Sequence, residues 1–223
     1  MFAGHVGAAL AIGRAERRVN VGVFIAAALL LDIVLWILVL LGLESVAIPA
    51  DFASARQPEF VFPWSHGLLA SAAWSAFAAL AAWIAYPRLA SARGRAALLI
   101  AAAVFSHWLL DALVHRPELP VAGSASYKVG LGLWNDLPIA LTVEAVIVVV
   151  GLALFMRGTR LSRGKSLALS AFSLLILAFT VAGMTLAPPP PSPEAMAAGS
   201  LATLVLVVAV ACWLGSLGSR GEP

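Results

Sequence analysis

Residues 103–120 read AVFSHWLLDALVHRPELP. The stretch closes a long apolar run, yet it carries His107, Asp111, His115 and Arg116. His107 and Asp111 are four residues apart, so on a helix they share one face. A charged side chain at mid-membrane costs about 2.5–3.5 kcal/mol even on the lenient insertion scale, so such groups need partners. The reading of this segment therefore decides between a greasy scaffold and a scaffold built around a polar site.

The surrounding composition settles the class. The chain has 223 residues, of which 62% are hydrophobic and 11% charged. Apolar runs of about twenty residues are long enough to cross a bilayer as helices. Six such runs are legible, at roughly 20–43, 65–86, 96–114, 136–156, 167–187 and 197–216. They are rich in Ala and Leu and lack period-two alternation, which excludes a transmembrane barrel. The expected fold is an all-α integral membrane bundle of six transmembrane helices plus a short N-terminal half-helix over residues 2–13. The opening MFAGHVGAALAIGRAERR has signal-peptide length, but Arg14, Arg17 and Arg18 follow the apolar stretch and do not precede it. It is expected to stay in the mature protein.

Basic residues set the expected orientation. Arg14, Arg17, Arg18, Arg88, Arg93, Arg95, Arg157, Arg160, Arg163, Lys165 and Arg220 fall on one side of a six-span arrangement, and Arg56, Arg116 and Lys128 on the other. The positive-inside rule makes the first side cytoplasmic, with the C-terminus there and loops 44–64 and 115–135 outside. The net charge of +3 is accounted for by topology, and no basic stripe with interleaved aromatics points to nucleic acid. Cys212 is the only cysteine, so neither a disulfide framework nor a cysteine metal knuckle is available. APPPPSP at 187–193 reads as a stiff outer turn. The last two spans carry no ionisable group in their interiors. They read as a C-terminal hairpin and tail (158–223) appended to a chemically loaded core (1–157). No internal repeat is evident.

Helix rise places the ionisable groups in depth. From the cytoplasmic boundary, His5 calculates to roughly 14 Å, His107 to roughly 16 Å, Asp32 to roughly 18 Å, Glu144 to roughly 20 Å and Asp111 to about 22 Å. His66, His115 and Asp136 come out at roughly 28–31 Å, at the outer rim. Histidine with carboxylate is the ligand mix of zinc-type divalent ions, and H-x-x-x-D on a helix is a two-ligand grip. His5 or His115 taken singly is equally explained by a hydrogen bond to a neighbouring carbonyl, Asp32 by a structural ion pair, and Glu144 by a protonated, packed carboxyl. Asp136, ahead of Pro138, reads as a helix cap. Tryptophans including Trp64 and Trp134 suit the interfacial belt.

AGHVGAALAI (3–12), LLLDIVLW (29–36), FPWSHGLLA (62–70) and above all FSHWLLDALVHRPELP (105–120) resemble the bacterial inner-membrane proteins called membrane-bound metal-dependent hydrolases. That group is regarded as distantly similar to zinc-dependent phospholipase C. The resemblance covers roughly residues 1–157 and implies His5, Asp32, His66, His107 and Asp111 as metal ligands. The P-D-x-D-H stretch of the family is here reduced to Asp32, and its H-R-G-x-T-H-S stretch to Ser65 and His66. A single divalent ion, or two sharing Asp111, is the corresponding expectation.

The implied activity is hydrolysis of a lipid or isoprenoid phosphoester at the outer side of the bacterial cytoplasmic membrane. A zinc-type ion would acidify a bound water. Glu144 or His115 would act as general base or acid, and Arg116 and Lys128 would hold a phosphate oxygen at the mouth, beside Trp64 and Asn135. Membrane lipid and an amphiphilic phosphoester are the expected partners, with a homodimer left open. Two rivals remain: a permease using the same layer for cations or protons, and a non-catalytic protein in which metal staples the half-helix to the bundle.

Overall fold

The structure, a computed structural model, describes residues 1–157, 159 and 161–216. Arg160 and Arg220 of the basic set lie outside the described residues. The chain is nearly all helical. A half-helix α1 (Phe2–Gly13) is followed by α2 (Val21–Ala28), α3 (Leu30–Leu40), a one-turn α4 (Phe52–Ala55), α5 (Leu68–Ala85), α6 (Arg93–Val114), α7 (Leu137–Met156), α8 (Arg163–Thr185) and α9 (Pro193–Ser216). Five of these, α5 to α9, are long and apolar enough to cross a membrane, and α2 with α3 makes a sixth if the bent pair is one span.

That bend corrects the expectation of a continuous helix over 20–43. The axis turns by 49° between α2 and α3, with no Pro or Gly at the break. Kinks of this size arise where a side chain inserts into the backbone ladder, and here the ring of His107 is hydrogen-bonded to the Ala28 carbonyl at 2.6 Å. Irregular backbone at membrane depth is tolerated where protein covers it, and Ala28 and Leu29 are fully buried.

Two glycine contacts seat the outer helices on the core. On α1, an ideal Cβ at Gly7 would lie 2.6 Å from the Ile147 carbonyl oxygen of α7, and one at Gly151 would strike the Gly7 carbonyl. Only a residue without a side chain allows such an approach, which is how helices pack closely where lipid gives no hydrophobic drive. Gly22 of α2 meets the backbone of Cys212 on α9 in the same way. Because α9 packs on α2 and α3, its buried Ala197, Leu204, Val207 and Ala211 join the same core as Val6, Phe24 and Val104. The last two helices thus wall a common interior, where the sequence reading had them appended to it.

The ends differ in character. At one, Arg17 donates to the Arg157 carbonyl at 3.1 Å and Arg95 to that of Ala15. Arg18 forks onto Glu16 with two bonds of 2.7 Å. At the other end, short antiparallel pairs cover the loops: β1 (Ser45–Ala47) with β2 (Glu59–Val61), and β3 (Leu119–Pro120) with β4 (Lys128–Val129). Asp136 caps α7 by accepting from the Ile139 amide at 3.1 Å, as its position ahead of Pro138 suggests.

Candidate metal centre

Helix α6 supplies the axis of the site. His107 and Asp111 stand one turn apart on its buried face, with Asp111 Oδ2 3.1 Å from His107 Nε2. The orientation of His107 follows from its other nitrogen. The Ala28 carbonyl that meets Nδ1 can only accept, so Nδ1 carries the ring proton and Nε2 presents a lone pair.

His66, just ahead of α5, is oriented by a relay. The Glu44 carboxylate accepts from the amides of Trp64 and Ser65 at 2.7 and 2.9 Å, and from the Ser65 hydroxyl at 2.7 Å. With that hydroxyl proton committed, Ser65 Oγ accepts from His66 Nδ1 at 2.8 Å. His66 Nε2 therefore also presents a lone pair, and it stands 3.1 Å from His107 Nε2 and 3.4 Å from Asp111 Oδ2.

With both rings neutral, three acceptor atoms thus form a triangle with edges of 3.1, 3.1 and 3.4 Å. A tetrahedral ion with bonds of about 2.0–2.1 Å sets its ligand atoms roughly 3.3 Å apart. The donor set and its spacing fit such an ion. Asp32 Oδ1, from the first turn of α3, lies 3.5 Å from His66 Nε2 and 3.6 Å from His107 Nε2. His5 of α1 stacks on His107, ring centres 3.7 Å apart and planes 8° from parallel. His5 is fully buried, and neither of its ring nitrogens has a hydrogen-bond partner, although Nε2 comes within 3.2 Å of Asp111 Oδ1. Buried polar atoms in folded proteins are nearly always satisfied, so His5 Nδ1, buried with no hydrogen-bond partner, is a nitrogen that could serve as a ligand. His5, Asp32 and His107 make one group that could hold an ion, and His66, His107 and Asp111 another.

All five residues implied by the resemblance are thereby brought together. His66, expected a full layer above His107, instead touches it. His66 and His115 of the outer rim thus join the mid-membrane residues, and Asp136 stays apart as the cap of α7.

His115 sits beside this cluster, its Nε2 3.8 Å from Asp111 Oδ2. Its Nδ1 meets Glu118 Oε1 at 2.6 Å, and the Trp134 ring packs on it at 4.4 Å. Glu144 accepts from the Gly4 amide at 3.1 Å. It thus ties α7 to the free amides at the start of α1, a favourable place for a carboxylate. Both His115 and Glu144 line a cavity of about 470 Å³, together with Asp32, His66 and Asp111.

The residues assigned to the mouth are placed differently. Arg116 is held between Glu59 at 3.6 Å and Glu118 at 3.5 Å. Asn135 accepts from Gln57 at 3.3 Å, the exposed Trp64 gives its backbone amide to Glu44, and Lys128 is an exposed residue on β4. None of the four lines the cavity, whereas Arg56 and Trp134 do. Glu44, Ser65 and Arg56 are contributors that spacing alone does not reveal, and Glu118 is a fourth that the sequence reading did not single out. Only the i,i+3 placement of His115 and Glu118 carries a signal.

Comparison with known proteins finds no matching family model, curated protein or solved structure, so any assignment rests on the residues of this site.

Proposed function

We propose that the chain is a metal-dependent hydrolase of the bacterial cytoplasmic membrane, with six spans, acting at the outer side on a phosphoester of a lipid or isoprenoid. The resemblance of residues 105–120 to membrane-bound metal-dependent hydrolases supports this reading. The observation that carries it is the triangle of His66, His107 and Asp111, two of whose members, His66 and Asp111, line a cavity of about 470 Å³. That volume is within the range of small-molecule sites, and the walls are mostly apolar, with Leu35, Trp36, Phe60 and Phe179 among them. The basic end then faces the cytoplasm and the cavity end the outside.

His66, His107 and Asp111 would hold the ion, with Asp32 and His5 completing the set. When bound, a zinc-type ion supplies Lewis acidity at an ester oxygen and makes water a stronger acid. The Nδ1–H of His115 donates to Glu118, which orients the ring and leaves Nε2 toward the cavity as a general base. In the reaction water adds to phosphorus through its oxygen, its proton passes to His115 Nε2, the P–O bond to the alcohol breaks, and the proton goes on to the departing oxygen. The products are a phosphate and an alcohol. Glu144 holds α1 and thus His5 in place.

The test is release of alcohol or phosphate from lipid phosphoesters by purified protein in detergent. Chelator-sensitive turnover that is lost in His107→Gln supports the proposal. Turnover insensitive to chelator, or no turnover with an ion bound, overturns it. In the second case, a structural ion is favoured by one observation: the ligands come from four segments, α1, α3, the start of α5 and α6, which the ion would staple together.

A further inference from the structure

The side of the cavity away from the metal ligands is formed by α8 and α9. These two helices touch each other only slightly and pack chiefly on different neighbours, α8 on α7 and α1, and α9 on α2 and α3. Gly183, near the end of α8, and Gly199, near the start of α9, both line the cavity and are exposed. An ideal Cβ at either would meet no atom within 4 Å. The wall is open at this level, and in a bilayer a gap between two apolar helices opens into lipid.

Arg56 stands at the outer edge of the same cavity. Its NH1 donates to the Ala187 carbonyl, in the α8–α9 connection, which ties the 44–64 loop across the end of the gap. Among the described residues no carboxylate lies within ion-pair distance of Arg56, whereas Arg116 is held by Glu59 and Glu118. A guanidinium without a counter-ion at the edge of an apolar cavity matches one kind of ligand: an anionic oxygen group carrying a hydrocarbon chain.

We infer that the α8–α9 gap is a lateral port through which the chain of a lipid phosphoester enters, and that Arg56 binds its phosphate at the edge of the site. The inference rests on the reading of the substrate as a lipid phosphoester and adds the route and the anion-binding residue. It also assigns to Arg56 the part that charge alone gave to Arg116 and Lys128.

The test uses a long-chain alkyl phosphate bearing a photoactivatable diazirine in its chain, applied to the full-length protein in detergent. Wild type is expected to be labelled on α8 and α9 around Met184 and Met196. Excess unlabelled alkyl phosphate should compete, and the matching uncharged alcohol should not. Gly183→Leu/Gly199→Leu, at two positions where an added Cβ meets no atom within 4 Å, narrows the port and should cut labelling several-fold, with the double Ala variant intermediate. Arg56→Gln should weaken phosphate competition roughly tenfold, the scale of one lost charge-assisted hydrogen bond, and Arg56→Lys should restore part of it. Labelling spread evenly over the lipid-facing surface, or unchanged in the double Leu variant, overturns the port. Equal competition by phosphate in Arg56→Gln overturns the anion site. Labelling needs no turnover: specific labelling without hydrolysis leaves the port standing and removes the hydrolase, and hydrolysis with unspecific labelling does the reverse.

Discussion

His66 and His107 face each other through their Nε2 atoms at 3.1 Å, with each Nδ1 already committed, one to the Ser65 hydroxyl and the other to the Ala28 carbonyl. In neutral rings these are two lone pairs that repel each other beside the Asp111 carboxylate, and a proton or a metal ion between them removes the repulsion.

Metal content is the first consequence. Purified protein should retain a divalent ion that His107→Ala/Asp111→Ala does not, by elemental analysis. Because the ligands come from separate segments, binding counts toward folding. At about a hundred times the dissociation constant the ion contributes roughly 2.7 kcal/mol, so a chelator should lower the thermal midpoint of wild type and leave the double variant unmoved. Equal ion content in the two proteins would refute the centre.

Glu44 and Ser65 should tune affinity from outside the ligand set. Ser65→Ala removes the acceptor that fixes the His66 ring, and Glu44→Gln disturbs the relay behind it. Loss of such an orienting partner lowers metal affinity by about 10–100-fold. Competition with a fluorescent chelator measures this, and unchanged affinity in both variants would show that the relay does not hold the ring.

The α1–α7 contact makes a separate claim about stability. Gly7→Val places its side chain against the Ile147 carbonyl, and overpacking of this kind costs about 1–3 kcal/mol or more. Since α1 carries His5, the variant should melt earlier and also bind its ion more weakly. A wild-type melting curve would mean that α1 docks in some other way.

His115 separates chemistry from binding. Removal of a general base costs about 10²–10⁴-fold in turnover, so His115→Gln should lower kcat to that extent with metal content and melting temperature held. Glu118→Gln should fall in between, since Glu118 reaches the reaction only through the ring that it orients. A parallel loss of metal would instead make His115 a ligand.

Much of this was legible before any coordinates. Apolar runs near twenty residues follow from the thickness of a bilayer, and the spacing of His107 and Asp111 follows from the helical repeat. Both are properties of short segments, so composition and periodicity reveal them. Of the five side chains that the fold brings together, FSHWLLDALVHRPELP holds His107 and Asp111, and the stretches around residues 5, 32 and 66 hold the other three.

What the chain did not disclose depends on contacts between distant segments. The break at Leu29 has no Pro or Gly to announce it, because its partner is a ring 79 positions away. His66 calculated to the rim because a depth counted along straight helices ignores how the pre-α5 segment folds back under Glu44. Arg56, Arg116 and Lys128 are equivalent as charges in a sequence, but carboxylates occupy Arg116 and leave Arg56 at the cavity. Helix formation is set locally by hydrogen bonds within each segment, whereas the meeting of side chains is set by how closely backbones approach. At Gly7 and Gly151 that approach is decided by packing between helices, and only the tertiary structure contains it.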